Sequence, residues 1–278
     1  MTMDSVAVNG VRLAYERVGT GRPVVLVGGT GMPPVAWEFS GLRDALVEAG
    51  HEVVTYAARG VTPSDAPPAP YTMAQLAAEL EGFLTALAID EAAVVGYSLG
   101  SFTAELLARS RPDLVSSLVL MAGAGPLTAV LDAVLRAEAE LIDATGALPP
   151  AFVRLQTLLS TLPPSVLCED EEQVRGWLDL LTVQEQVWTS AEGERGQSAA
   201  AADWARDGTR MDRLRAITAP TLVVSFEHDT YFAPRGGHVA AELLPNARFA
   251  RVRGAAHGGL LTHPQPVIEA VREFLKER

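Results

Sequence analysis

The feature of this sequence that most constrains its fold is an alternation of short apolar runs with longer segments of helical periodicity. The apolar runs are largely β-branched or aliphatic, four of them early in the chain and two after residue 220: residues 24–27, 53–56, 92–95, 118–121, 221–226 and 248–252. Between the early runs, residues such as Leu76, Leu80 and Phe83 recur at helical spacing. Strands that are apolar throughout and alternate with helices indicate a parallel sheet covered on both faces.

A hairpin is predicted ahead of these runs. Residues 6–8 and 11–18 alternate between apolar and polar side chains around Asn9-Gly10, a strong signal for a two-residue turn between antiparallel strands. With the hairpin included, the sequence predicts an α/β fold with a mostly parallel, eight-stranded sheet flanked by helices.

The strand–helix alternation stops at about Pro126 and resumes at Thr221. The interval has helical patterning in four segments, 131–144, 151–162, 171–187 and 198–214, and it carries Trp177, Trp188 and Trp204. We interpret residues 126–215 as an inserted helical cap, referred to below as the cap segment. Residues 1–125 and 216–278 are then the core that contains the sheet.

Charge and composition exclude several classes of protein. With 22 Lys+Arg against 34 Asp+Glu, the net charge is −12, which disfavours contact with nucleic-acid phosphates. The single cysteine, Cys168, excludes an intrachain disulfide. The N-terminus lacks the basic and apolar regions of a signal peptide, and the uncharged stretch 114–131 is broken by Gly123, Gly125 and Pro126. We therefore expect a cytoplasmic protein without a membrane or nucleic-acid partner.

A candidate nucleophile follows the strand at residues 92–95. The sequence Gly96-Tyr97-Ser98-Leu99-Gly100 is a G-x-S-x-G motif between a predicted strand and a predicted helix, the context in which this motif forms a sharp turn. The glycines are needed because β-carbons would collide in such a turn. Ser98 is thereby placed at the carboxyl edge of the sheet, at the positive end of a helix.

A serine hydroxyl needs a base to take its proton, and histidine is the usual one. Of the five histidines, His257 is the candidate, because it lies among small residues in a loop after the last predicted strand. His51, His238 and His263 are interpreted as a strand-edge, a helical and a helix-start residue. His228 is interpreted as an incidental loop residue.

The imidazole in turn needs a carboxylate at the end of a strand. Asp229, after the strand at residues 221–226, is the first candidate, and Glu227 is the reserve. The chain order Ser98, Asp229, His257 is the order that this kind of sheet requires. Two amides are candidates for an oxyanion hole: that of Leu99 in the turn, and that of Thr30 in the glycine loop, residues 28–32, after the first parallel strand.

These residues together resemble the α/β-hydrolase fold superfamily, in its serine esterase, perhydrolase and haloperoxidase-like branch. The resemblance spans the hairpin, the glycine loop, residues 58–65, the turn at Ser98, Asp229 and His257. It implies a nucleophile Ser98, an acid Asp229, a base His257 and a helical cap over the site. Three departures stand out: Gly28-Gly29 replaces the usual His-Gly of the first loop, the aspartate nucleophile of dehalogenases and epoxide hydrolases is absent, and Leu99 replaces the methionine frequent in perhydrolase-like members.

The resemblance implies a cofactor-independent bacterial serine hydrolase that cleaves an ester, thioester or lactone of a small, mostly apolar molecule. Gly29, Met32, Tyr97, Trp177 and Trp188 are the predicted substrate contacts. Two alternatives stay open: a non-hydrolytic acyltransferase, lyase or cyclase on the same scaffold, and a ligand-binding receptor. No metal is expected, because no histidine pair or cysteine cluster is present. The expected partner is a small-molecule substrate, and a homodimer is left open.

Overall fold

The computed structural model describes residues 3–183 and 187–277. Within these residues one sheet contains eight strands: β1 (Asp4–Val8), β2 (Val11–Val18), β3 (Arg22–Val27), β4 (His51–Tyr56), β5 (Ala92–Tyr97), β6 (Val115–Met121), β7 (Thr221–Phe226) and β8 (Ala247–Val252). Their order across the sheet is β1-β2-β4-β3-β5-β6-β7-β8. The β1–β2 and β2–β4 pairs are antiparallel and all the other pairs are parallel, which confirms the predicted fold class.

Thirteen α-helices lie in the described part of the chain. They are α1 (Val35–Phe39), α2 (Leu42–Glu48), α3 (Met73–Ala86), α4 (Leu99–Ser110), α5 (Ala129–Thr145), α6 (Pro150–Thr161), α7 (Pro164–Glu169), α8 (Glu171–Val183), α9 (Ala191–Ala205), α10 (Arg210–Arg213), α11 (Pro234–Leu243), α12 (Gly259–Thr262) and α13 (Pro264–Lys276). Short 3-10 turns span Pro112–Leu114 and Leu214–Ala216. None of these helices is long and apolar enough to cross a bilayer.

Both faces of the sheet are buried, as the uninterrupted apolar strands predict. Successive side chains of a strand point to opposite faces. Val25 therefore belongs to one apolar cluster with Leu80 of α3 and Leu107 of α4, whereas Leu26 belongs to a second cluster with Leu46 of α2. This two-sided packing makes the sheet a fixed platform for the loops at its carboxyl edge.

The described part of the cap segment contains six α-helices. Helices α5 to α10 lie between β6 and β7, and a third apolar cluster joins Leu131, Leu135 and Trp204 of these helices to Phe102 of α4 and Phe232. Of the helix predicted for residues 171–187, the structure describes Glu171–Val183 as helix α8, and residues 184–186 lie outside the described residues. The division of the chain into a core and a cap stays a prediction.

The prediction of one helix over residues 198–214 is wrong. The structure has α9, which begins seven residues earlier at Ala191, and the separate short helix α10. Between them the carboxylate of Asp207 accepts hydrogen bonds from the amide and hydroxyl of Thr209, at 2.9 and 2.6 Å, in a local turn that interrupts the helical path.

Candidate active site

Ser98 occupies a strained turn between β5 and α4. Its φ of 53° and ψ of −118° lie outside the regions that residues other than glycine commonly adopt. The turn is crowded, since a β-carbon on Gly96 would overlap the backbone of Gly100 and Ser101, and one on Gly100 would overlap the carbonyl oxygens of Val27 and Gly28. The two glycines therefore allow the turn to close, and the turn lifts the Ser98 side chain away from the sheet.

Three predicted residues from three different loops meet at this point. The Oγ of Ser98 lies 3.2 Å from Nε2 of His257, and Nδ1 of His257 lies 2.8 Å from Oδ2 of Asp229. An ionised carboxylate only accepts hydrogen bonds, so Nδ1 carries the proton that faces Asp229 and Nε2 is left to accept from Ser98. In this arrangement Nε2 of His257 can take a proton from the serine hydroxyl.

Asp229 is held by the backbone of its own loop. Its side chain is buried, and its Oδ1 accepts the amides of Tyr231 and Phe232, both at 2.9 Å. These two bonds occupy one carboxylate oxygen and direct the other toward His257. The reserve candidate, Glu227, is engaged elsewhere: the Gly254 amide donates to it at 2.9 Å, and that bond holds the pKa of the carboxyl below its usual range.

The glycine loop lies against Ser98. A β-carbon on Gly29 would be 3.1 Å from Cβ of Ser98, so a larger residue would press on the serine. The amide of Met32 donates to the carbonyl of Gly29 at 3.1 Å, which closes a turn over residues 29–32, and Gly31 has a φ of +62°. The amides of Thr30 and Leu99 donate to no group in the described residues.

Comparisons with known proteins identify the family of this chain. The sequence matches the family described as the alpha/beta hydrolase fold over residues 22–264. The chain belongs to the α/β hydrolase family. All the elements that carry Ser98, Asp229 and His257 lie inside the matched range.

Similar proteins cover nearly the whole of this α/β hydrolase. The protein named "Putative non-heme bromoperoxidase BpoC" from Mycobacterium tuberculosis is 33% identical over 95% of this chain and 97% of its own, and its crystal structure superposes with a TM-score of 0.85. A "Putative carbamate hydrolase RutD" from Azorhizobium caulinodans is 28% identical over 95% of each chain. The structure of a hydrolase from Pseudomonas aeruginosa superposes with a TM-score of 0.83 at 28% identity, over 98% of each chain.

The hydroxyl of Tyr97, one of the predicted substrate contacts, bonds to the protein. It donates to the carbonyl of His257 at 2.7 Å, and burial together with the charge of Asp229 raises the pKa of Tyr97 above its usual value. The hydroxyl is therefore a neutral donor at any ordinary pH. The rings of Tyr231 and Phe232 lie 5.1 and 5.8 Å from the imidazole, so His257 is enclosed by aromatic side chains.

The other predicted substrate contacts are distributed unevenly around Ser98. Trp188 packs on the glycine loop, because a β-carbon on Gly31 would lie 2.8 Å from its ring. Met32 is half-buried, and its side chain packs against Gly28 in the same loop. Trp177 is not brought to Ser98: it lies on α8, where it lines a cavity of about 250 Å³ with Gln173, Gly176 and Leu180.

Two features of the site are not signalled by the sequence. Gln197 of α9 accepts a hydrogen bond from the amide of Gly31, 166 positions away in the chain. Gln156 of α6 donates to Glu138 of α5 at 2.6 Å and lies 3.4 Å from the hydroxyl of Tyr231. Gln156 thereby connects Glu138 to Tyr231, one of the aromatic residues around His257. Burial raises the pKa of the Glu138 carboxyl. No cluster of three or more metal-binding side chains occurs in the described residues.

Proposed function

We propose that this α/β hydrolase is a cofactor-independent serine hydrolase that cleaves an ester, thioester or lactone of a small molecule through an acyl-enzyme. The observation that carries the proposal is the unbroken line of hydrogen bonds from Ser98 through His257 to buried Asp229. Each of the three side chains has one role in it: nucleophile, general base and orienting acid.

Acylation begins when Nε2 of His257 takes the proton of Ser98. The serine oxygen attacks the carbonyl carbon of the substrate, and a tetrahedral intermediate with a negatively charged oxygen forms. The imidazolium, stabilised by Asp229, then gives its proton to the departing alkoxide or thiolate. The acyl group is left as an ester on Ser98.

Two backbone amides are the proposed donors to the charged oxygen. The amide of Leu99 is at the N-terminus of α4, and the amide of Thr30 is in the glycine loop, whose Gly29 lies against Ser98. Neither amide has a partner in the described residues, so both can donate to an oxyanion. Losing one such donor typically costs about 3 kcal/mol of transition-state stabilisation.

Deacylation repeats these steps with water. His257 takes a proton from a water molecule, the resulting hydroxide attacks the acyl ester, and the proton returns to the Oγ of Ser98 as the acid leaves. The enzyme is restored with water as the only second reactant and without an oxidant or reductant.

A second candidate is perhydrolysis, in which hydrogen peroxide replaces water in the attack on the acyl-enzyme and a peroxy acid leaves. The observation that favours it is the name of the 33% identical relative, a "Putative non-heme bromoperoxidase". The two activities are distinguished by adding peroxide during turnover and measuring the ratio of peroxy acid to free acid. The same assay with an alcohol or amine as the acceptor tests for acyl transfer.

The nucleophile is tested by replacing Ser98 with alanine. We expect hydrolysis of a p-nitrophenyl ester to fall about 10⁴-fold or more, since removing one member of such a triad removes most of its effect. Covalent labelling by a fluorophosphonate should also disappear. Ser110→Ala, at the exposed end of the same helix, is the matched control and should label as the unchanged protein does. Labelling that survives in Ser98→Ala would show that another residue is the nucleophile.

A further inference from the structure

The side chain of Gln197 connects the cap segment to the glycine loop. Gln197 is 0% exposed, and both ends of its amide are used. Its Oε1 accepts the amide of Gly31 at 3.0 Å, and its Nε2 donates to the carbonyl of Arg59 at 2.8 Å. Because a backbone N–H only donates and a carbonyl only accepts, the two partners fix the orientation of this side-chain amide.

The bond to Gly31 controls the shape of the turn over residues 29–32. A φ of +62° at Gly31, the third residue, is that of a type II turn, which differs from a type I turn by a flip of the peptide between the second and third residues. That peptide carries the Gly31 N–H. By accepting this N–H, Gln197 holds the peptide in one of its two orientations.

The Thr30 amide lies in the preceding peptide of the same turn. A flip at Gly31 changes the ψ of Thr30 and rearranges the backbone around it. Met32 holds the Gly29 carbonyl, and Gln197 holds the next N–H along the chain. The Thr30 N–H, between these two bonds, is the one left without a protein partner.

The position of Gln197 is itself fixed by close packing of α9. Four residues earlier, Gly193 lies so close to Gly60 that a β-carbon on it would be 2.5 Å from the Gly60 carbonyl oxygen, and Gly196 lies against the ring of Tyr71. Thr189 donates its amide to the carbonyl of Gly60 at 2.9 Å. The helix that presents Gln197 is thus seated on the backbone of the core and has little room to shift.

We propose that Gln197 is a positioning residue for the second oxyanion donor: it holds the glycine loop in the turn that directs the Thr30 amide at the substrate oxygen. The inference rests on the proposed function, because it needs an oxyanion at Ser98. Gln197 gives no group to the substrate. Its contribution therefore appears in the rate of acyl transfer and not in substrate binding.

The first test is Gln197→Leu, which removes both bonds at similar side-chain volume. The measured quantity is kcat for a p-nitrophenyl ester per active site, with the active sites counted from the burst of p-nitrophenol. This kcat should fall about 10- to 100-fold, which is less than the complete loss of an oxyanion donor would cause. KM should stay within about threefold of that of the unchanged protein, because Gln197 makes no contact with the substrate. A boronic acid, which forms a tetrahedral adduct on the serine, should bind more weakly by the same factor as kcat.

The second test is Gln197→Glu, which keeps the shape and makes the outcome depend on pH. An ionised carboxylate there can still accept the Gly31 N–H, but its second oxygen faces the Arg59 carbonyl oxygen, and the repulsion moves the side chain out of the position that holds Gly31. The protonated acid restores both bonds. Burial raises the pKa of a carboxyl. The kcat of Gln197→Glu divided by the kcat of the unchanged protein should therefore rise toward one as the pH falls. A purely structural role does not produce this change.

The controls separate the inference from the proposed function and from loss of folding. Thr221→Val removes the hydroxyl bond to the carbonyl of Ala219 at 2.9 Å, equally buried but at the opposite edge of the sheet, and should leave kcat per site unchanged. If both Gln197 variants keep kcat per site within twofold while Ser98→Ala is inactive, Gln197 is not a positioning residue. If Ser98→Ala stays active, the proposed function itself is wrong.

Discussion

At the scale of single residues, the site depends on side chains that hold its loops in position. Tyr97 directly precedes Ser98, and its hydroxyl reaches across to the carbonyl of His257. The residue next to the candidate nucleophile thus carries a bond to the loop of the candidate base. The sequence predicts Tyr97 as a substrate contact, whereas the bond between its hydroxyl and the His257 carbonyl is visible only in the folded chain.

Replacing Tyr97 with phenylalanine separates these two roles. The ring remains, but the carbonyl of His257 loses its donor, so we expect the free energy of unfolding to fall by about 1–3 kcal/mol. The kcat should fall severalfold, because His257 is held less firmly, while KM stays nearly unchanged. Urea unfolding and ester kinetics measure the two effects.

Tyr71→Phe is the matched control for this prediction. The Tyr71 hydroxyl also donates to a backbone carbonyl, that of Pro67 at 2.8 Å, away from His257. The control should lose similar stability and keep its kcat. A large rise in KM for Tyr97→Phe with kcat unchanged would instead support the substrate contact that the sequence predicts.

At the scale of elements, the strand–turn–helix unit around Ser98 forms because two of its positions have no side chain. Gly100 lies in the first turn of α4, directly against the backbone of Val27 and Gly28. A backbone contact cannot be relieved by a change of rotamer. The close approach of α4 to β3 therefore requires glycine at this position.

Gly100→Ala should destabilise the fold by about 3 kcal/mol or more, at or beyond the upper end of overpacking costs, because the neighbouring atoms are backbone. Gly176→Ala is the opposite case on α8: nothing lies within 4 Å of its added β-carbon. That variant should gain up to about 1 kcal/mol from helix propensity. Urea denaturation of both variants tests the pair, and equal stability of Gly100→Ala and the unchanged protein would contradict the packing argument.

Elements could be predicted where their signal is local. The eight strands are recognisable from their own residues, and Ser98, Asp229 and His257 are candidates because each lies in a turn or loop that follows a predicted strand. The sequence predicts a helix that begins at residue 198, whereas α9 begins at Ala191, and its Gly193 and Gly196 pack on Gly60 and Tyr71. Helix α7 is not among the predicted segments; it begins at Pro164, and proline is favoured in the first helical turn.

Contacts between distant parts of the chain could not be predicted in this way. Nothing in the residues around Gln197 indicates Gly31 as its partner, because neither the spacing nor the residue type distinguishes it from a glutamine facing solvent. The same holds for Gln156 and Glu138, which meet across two helices of the cap segment.

At the scale of the whole molecule, buried ion pairs join distant elements of this acidic chain, whose net charge is −12. Arg210 of α10, at the end of the cap segment, is 2% exposed and donates to Glu105 of α4 at 3.0 Å. It also donates to the carbonyl of Gly125, where the chain leaves β6 for the cap segment. One guanidinium therefore links both ends of the cap segment to α4.

Replacing Arg210 with methionine should lower the free energy of unfolding by up to about 3–5 kcal/mol, because it breaks a buried pair and leaves Arg109, at 3.6 Å, as the remaining ion-pair partner of buried Glu105. Arg175→Met is the control: the Arg175–Glu171 pair on α8 is about three-quarters exposed, with side-chain exposures of 73% and 75%. Exposed pairs contribute about 0–1 kcal/mol, so the control should change stability little. Urea unfolding at neutral pH measures both variants.

The pH dependence of this loss identifies its cause. Burial raises the pKa of Glu105, against the opposing effect of Arg210 and Arg109. A carboxyl whose pKa is raised by folding stabilises the protein below its unfolded pKa, and that contribution is lost as the pH rises through the folded value. Removing Arg210 raises the pKa of Glu105 further, so the variant should lose more stability at pH 8 than at pH 5. An equal loss at both pH values would assign the effect to the Gly125 bond and to packing on Phe102, because neither of these titrates.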